Sequence, residues 1–256
     1  MDKLLLYLGD DLVINDQVVI HQPSVIDIAR FGERKYFNTV YKMCSIPSNY
    51  KSELWDVGIN YCNITDFQCF MLLSRDLSAD DTKLLLGDDI SFKDMVPYSD
   101  SEVSALVDRD KGIIITEEIY QQMIEYIREM HGIHPKRERA ANKETLQLLI
   151  SEDRNKKARS SKDSDEESIL LPLISSMVNS PGFKYDINTL KNLGIYPFMD
   201  SVQRIQAINT AGAISNGMYS GMVDLSQNPQ LTNQLNWLRD LSKDKHNTSN
   251  VRVTQS

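Results

Sequence analysis

One stretch limits what this chain can fold into more than any other: PKRERAANKETLQLLISEDRNKKARSSKDSDEES, residues 135–168. It mixes charges of both signs and is almost without apolar residues apart from Leu146, Leu148, Leu149 and Ile150. Its first half suits a solvent-exposed helix with opposite charges on neighbouring turns. Its second half, from Ser160 to Ser168, buries too little to order itself and reads as a linker. The expected organisation is therefore a mixed domain over 1–134, the charged helix and linker over 135–168, a helical region over 169–241, and a flexible polar tail over 242–256. The fold class expected is α+β.

The first part alternates apolar runs with turn residues. Leu4 to Leu8, Gly9-Asp10-Asp11, Leu12 to Ile14, Asn15-Asp16 and Val18 to Ile20 predict a short β-meander. Pro23 ends it, and Ser24 predicts an N-cap for a helix with Asp27 in its first turn. From Phe31 to Leu77 the apolar spacing is helical, with Tyr36, Phe37, Val40, Tyr41 and Met43 on one stripe. Thr65 predicts another helix start, and Gly58 a stop. Leu84-Leu85-Leu86 and Ile113-Ile114-Ile115 read as buried strands. Thr116 predicts the cap of a helix that Gly132 ends.

After the charged stretch the pattern is helical. A segment carrying Pro172 near its start is followed by a short helix over 187–193, closed by Gly194. The longest periodic run starts near Pro197, with Phe198, Val202, Ile205 and Ile208 on one face. Its small residues Ala211, Gly212, Ala213 and Gly217 would let another helix come close. A final amphipathic helix over 231–241 carries Leu235 and Leu238 on one face, with Trp237 at its edge.

The net charge of −8 and pI near 5.1 argue against nonspecific duplex binding, which needs concentrated basic surface. They favour solubility and protein partners. The basic runs Lys136-Arg137-Arg139 and Arg154 to Arg159 are interleaved with acids and read as solvated faces. Three cysteines, Cys44, Cys62 and Cys69, make an odd count without a CxxC spacing, so a reducing compartment and buried free thiols are expected. No apolar stretch reaches the roughly 20 residues a membrane span needs. The acidic flank of the first apolar run argues against a signal peptide, and the expected location is the cytoplasm.

Gly-Asp-Asp occurs twice, at 9–11 and 87–89. A two-metal polymerase presents such a pair on a hairpin. It also needs a third carboxylate from another strand and a basic channel, so both pairs read as turns that end strands. His131 and His134 form HGIH, but a zinc site needs further ligands. A histidine in the last turn of a helix is explained by the dipole. Nucleophile elbows, phosphate loops and HExxH are absent from the sequence. The expectation is a protein without catalytic residues, metal or cofactor.

The stretch VVIHQPSVIDIARFGERKYFNTVY, through Pro23, Ser24, Val25, Asp27 and Ile28, resembles the opening of small proteins encoded among the late structural genes of tailed bacteriophages. FMDSVQRIQAINTAGAISNGMYSG is similar to phage morphogenesis proteins, in particular the tail assembly chaperones of long-tailed phages. The resemblance covers the first and last fifths of the chain. It implies a protein of the host cytoplasm during assembly that holds a helical partner, the tape-measure protein or tail-tube subunits. The alternative it allows is a structural component of the virion tail, neck or head, in contact with other virion subunits or with copies of itself. The partner-binding residues expected are Phe198, Val202, Ile205, Leu235, Trp237 and Leu238, covering an apolar stripe at roughly 25 cal/mol per Å².

Overall fold

The structure, a computed structural model, describes residues 2–100, 103–160 and 168–241. The fold is α+β and mostly helical, with two small antiparallel sheets. In chain order the first elements are α1 (Lys3–Leu8), β1 (Leu12–Val13), β2 (Val19–Ile20), α2 (Val25–Phe31), α3 (Glu33–Cys44) and α4 (Lys51–Asp56). Then come α5 (Asp66–Leu73), α6 (Ala79–Leu86), β3 (Val96–Ser99), β4 (Ser104–Asp108), β5 (Ile113–Thr116) and α7 (Glu117–His131). The rest is α8 (Lys143–Ser160), α9 (Leu170–Val178), α10 (Ile187–Leu190), α11 (Ile195–Tyr219) and α12 (Gln230–Leu235).

Locally encoded caps fall where the sequence places them. Ser24 and Asp27 form a reciprocal capping box at the start of α2, and Thr65 and Gln68 do the same for α5. The Thr116 side chain accepts from the Ile119 amide, and Gly132 closes α7 in the left-handed region. Asn15 supplies the β1–β2 turn, its side-chain oxygen accepting from the amides of Gln17 and Val18.

Two expected strands are helices instead. Leu4–Leu8 forms α1, because Asp2 accepts from the Leu4 amide and Gly9, in the left-handed region, donates back to Leu5 and Leu6. Leu84–Leu86 is the last turn of α6, set by a capping box between Ser78 and Asp81. Both Gly-Asp-Asp sequences thus end helices rather than strands. Asp11 then accepts from His21 Nδ1 at 2.7 Å and from the Gln22 amide at 3.1 Å, and the Asp89 carbonyl accepts from Lys111 Nζ at 2.6 Å. Ile113–Thr116 is a strand, as the sequence predicts, in the sheet β3–β4–β5.

The core is continuous across the charged segment. Leu6, Ile28, Tyr36, Met43, Phe70, Ile115, Met123 and Ile127 pack in one cluster with Leu170, Met177, Ile195 and Phe198. The expected charged helix exists as α8, but one side of it is covered. Leu146 and Ile150 are buried beside Leu54, Tyr61 and Cys69 in a second, smaller cluster. The linker expected over 160–168 lies almost wholly outside the described residues. All three cysteines are free; Cys44 and Cys69 are buried, and burial pushes both thiols up to about 12.

His131 corrects the dipole reading. Its Nδ1 donates to the Ile127 carbonyl at 2.7 Å, so Nε2 accepts from the Tyr36 hydroxyl, also at 2.7 Å. Desolvation holds its pKa down to about 4. The ring is neutral at pH 7, and a neutral ring gains little from a helix terminus.

Candidate docking surface

The C-terminal helices are anchored by α11, and its anchor is Gly194. That residue was expected to end a helix; it starts one. Gly194 bridges to Ser24, the Ile195 amide donates to the Pro23 carbonyl at 3.0 Å, and the Val25 amide to the Leu193 carbonyl at 3.0 Å. The chains approach so closely that a Cβ at Gly194 would collide with Gln22 Oε1. The preceding helix is accordingly cut to Ile187–Leu190.

Stitched there, α11 drives its first half into the core. Phe198 is 0% exposed, and Val202 is buried. Both were expected to face a partner, and both are sealed within their own chain. Ile205 packs half-buried against the same cluster. Of the six expected residues, Leu235 is half-buried, and Trp237 and Leu238 are exposed.

α12 stops at Leu235, shorter than expected, and the residues after it are held by a cation. Arg204 Nη1 donates to the Trp237 carbonyl at 2.6 Å and the Arg239 carbonyl at 3.0 Å. Its Nη2 lies 3.7 Å from Asp200. Leu241 is buried just beyond. With both ends of the segment fixed, Leu238 is left 73% exposed.

α1 lies against this unit, Tyr7 meeting Tyr196 edge-on with ring centroids 6.2 Å apart. Lys3 pairs with Glu129 at 2.8 Å. Only Leu6 of α1 is buried, while Leu4 and Leu8 are 63% and 68% exposed. Leu4, Tyr7, Tyr196, Met199 and Leu238 line one cleft of about 390 Å³. In it, desolvation raises the Asp200 pKa, with Arg204 opposing. Sequence reasoning missed the α1 leucines because it took their run for a strand.

A larger cleft, about 740 Å³, lies between α7 and residues 133–139. Several of its charges are paired within the chain. Arg137 grips Asp66 with two bonds, at 3.0 and 2.7 Å, and Arg128 donates to the Cys44 carbonyl at 2.8 and 3.1 Å. The Arg137 pair fastens the segment after α7 to α5, and the Arg128 bonds tie α7 to the end of α3. Among the described residues, no group of three or more His, Cys, Asp or Glu could hold a metal ion, and no helix is long and apolar enough to cross a membrane. The chain was compared with protein-family models, curated proteins and solved structures, and nothing matched in any of the three.

Proposed function

We propose that this chain is a non-enzymatic assembly protein of a tailed bacteriophage, docking a helical partner such as the tape-measure or tail-tube protein. The reading is supported by one observation above others: Leu4, Leu8 and Leu238 stand exposed on a surface whose backbone is fixed from both sides. Exposed apolar groups on a rigid frame lose little entropy on binding, so their burial is available to a partner. The docking residues retained from the sequence are Leu235, Trp237 and Leu238. α1 joins them, and Phe198 and Val202 serve as the support beneath. The protein would act in the host cytoplasm.

The test is co-purification of tagged protein from infected cells. Retention of the tape-measure protein, lost on Leu238→Asp, is expected; wild-type protein that retains no tail component sinks the reading. Mass spectrometry of purified particles separates the two roles. A chaperone is absent from particles, and fixed copy number would make the chain a structural subunit of tail, neck or head.

A further inference from the structure

From Ile205 to Leu238 the only charged residue is Asp224, in a chain whose charged fraction is 25%. Only one side of this stretch is core, through Ala207, Ala211 and Ile214. Ile208, Met218, Tyr219 and Met222 are all exposed, Tyr219 at 92%. A helix face turned to water normally carries charge. Exposed Met, Tyr and Ile with the charges removed are the composition of an interface centre.

The glycines of α11 sharpen the point. Gly217 has a reason inside the chain: a Cβ there would stand 2.6 Å from Val223 Cγ2, where the backbone turns back. Gly212 has none. Beyond its own helical turn, a Cβ at Gly212 would meet nothing within 4 Å among the described residues. A mid-helix glycine costs about 1 kcal/mol against alanine, and no close approach among the described residues calls for it. At about 100° per residue, Ile208, Gly212 and Tyr219 lie within about 40° of one another around the helix. They form a stripe of knob, gap and knob, clear of the buried Ala207, Ala211 and Ile214.

We propose that this stripe is the contact between two copies of the chain, paired antiparallel about a two-fold axis between Ala213 and Ile214. That register sets Ile208 against Tyr219 of the second copy and Gly212 against Ser215 of the second copy, each contact occurring twice. Large groups meet at the flanks and small ones at the centre, where the backbones approach. Charge selects the occupant. The stripe reads large, small, small, large from either end, as a contact between like copies requires, and two copies that each carry −8 avoid repulsion where neither presents acids. A different partner could instead have been matched to acidic groups.

Sedimentation equilibrium of the full chain, from micromolar to millimolar concentration, tests this. The mass should rise from 29.3 kDa towards twice that value. Gly212→Leu fills the gap, raises helix propensity and should weaken association at least about tenfold, with the melting temperature of the dilute monomer not lowered. Ile208→Glu and Tyr219→Lys should each stay monomeric alone and form a dimer when mixed, because the mixture sets Glu against Lys. A wild-type mass of 29.3 kDa at every concentration overturns the proposal. So does a Gly212→Leu variant that associates like wild type, or a mixture that stays monomeric.

Discussion

The Tyr36 hydroxyl donates to His131 Nε2 at 2.7 Å, joining α3 to the last turn of α7 through a ring kept neutral by desolvation. Beside it, Phe37 meets the same ring edge-on with centroids 6.4 Å apart. The imidazole therefore acts as a packed polar bridge, satisfied at both nitrogens, rather than as a helix-end cation.

This bridge makes stability depend on pH. The folded pKa, about 4, lies below the ordinary 6.5, so the unfolded chain binds the proton first as pH falls. Stability should be intact above pH 6.5, decline between 6.5 and 4, and level off below, for a loss on the order of 3 kcal/mol. Urea unfolding at a series of pH values should show this limb, and His131→Gln should flatten it. Parallel wild-type and variant curves would contradict the bridge.

A side chain at Gly194 should cost stability, because Gln22 must move to admit it. Gly194→Ala forces a methyl into Gln22, whose Oε1 is already buried without a hydrogen-bond partner among the described residues. A loss of about 2 kcal/mol is expected in chemical denaturation. Gln22→Ala should recover part of it, because the colliding atoms are gone.

Those two sites mark what a sequence discloses. Ser24, Thr65 and Thr116 were legible because a cap is a bargain within four residues. Leu4–Leu8 and Leu84–Leu86 were not, because an unbroken apolar run has no period to separate strand from helix. What decided them was Asp2 with Gly9 in one case and Ser78 with Asp81 in the other. The stripe through Phe198 was legible as an apolar face. Its destination was not, since periodicity reports that a face is covered and not which chain covers it. Gly194 was misread for the same reason: its role is set by Gln22, more than a hundred residues earlier.

The docking of α8 rests on few residues, Leu146 and Ile150 chief among them. Polar contacts assist: Asp153 accepts from Ser52 Oγ at 2.7 Å and from Lys157 Nζ at 2.8 Å. Desolvation raises the Asp153 pKa, yet these bonds outweigh it and leave the group lowered. Ile150→Ala should cost about 2–4 kcal/mol. Hydrogen exchange should speed up in α8 and leave α7 protected. Equal acceleration in both helices would mean that α8 belongs to the main cooperative unit.

Buried and exposed apolar residues of the C-terminal helices should separate cleanly on substitution. Phe198 is enclosed by its own chain, so Phe198→Ala should cost about 3–5 kcal/mol and reduce the yield of folded protein. Leu4, Leu8 and Leu238 have most of their surface in water. Leu238→Asp and Leu8→Asp should therefore change stability by no more than about 0.5 kcal/mol, while removing any partner that binds by covering them. Thermal unfolding and co-purification on the same variants give the two readouts. A large stability loss at Leu238 would place that side chain in the core. Unchanged partner recovery from both aspartate variants would move the docking surface elsewhere on the molecule.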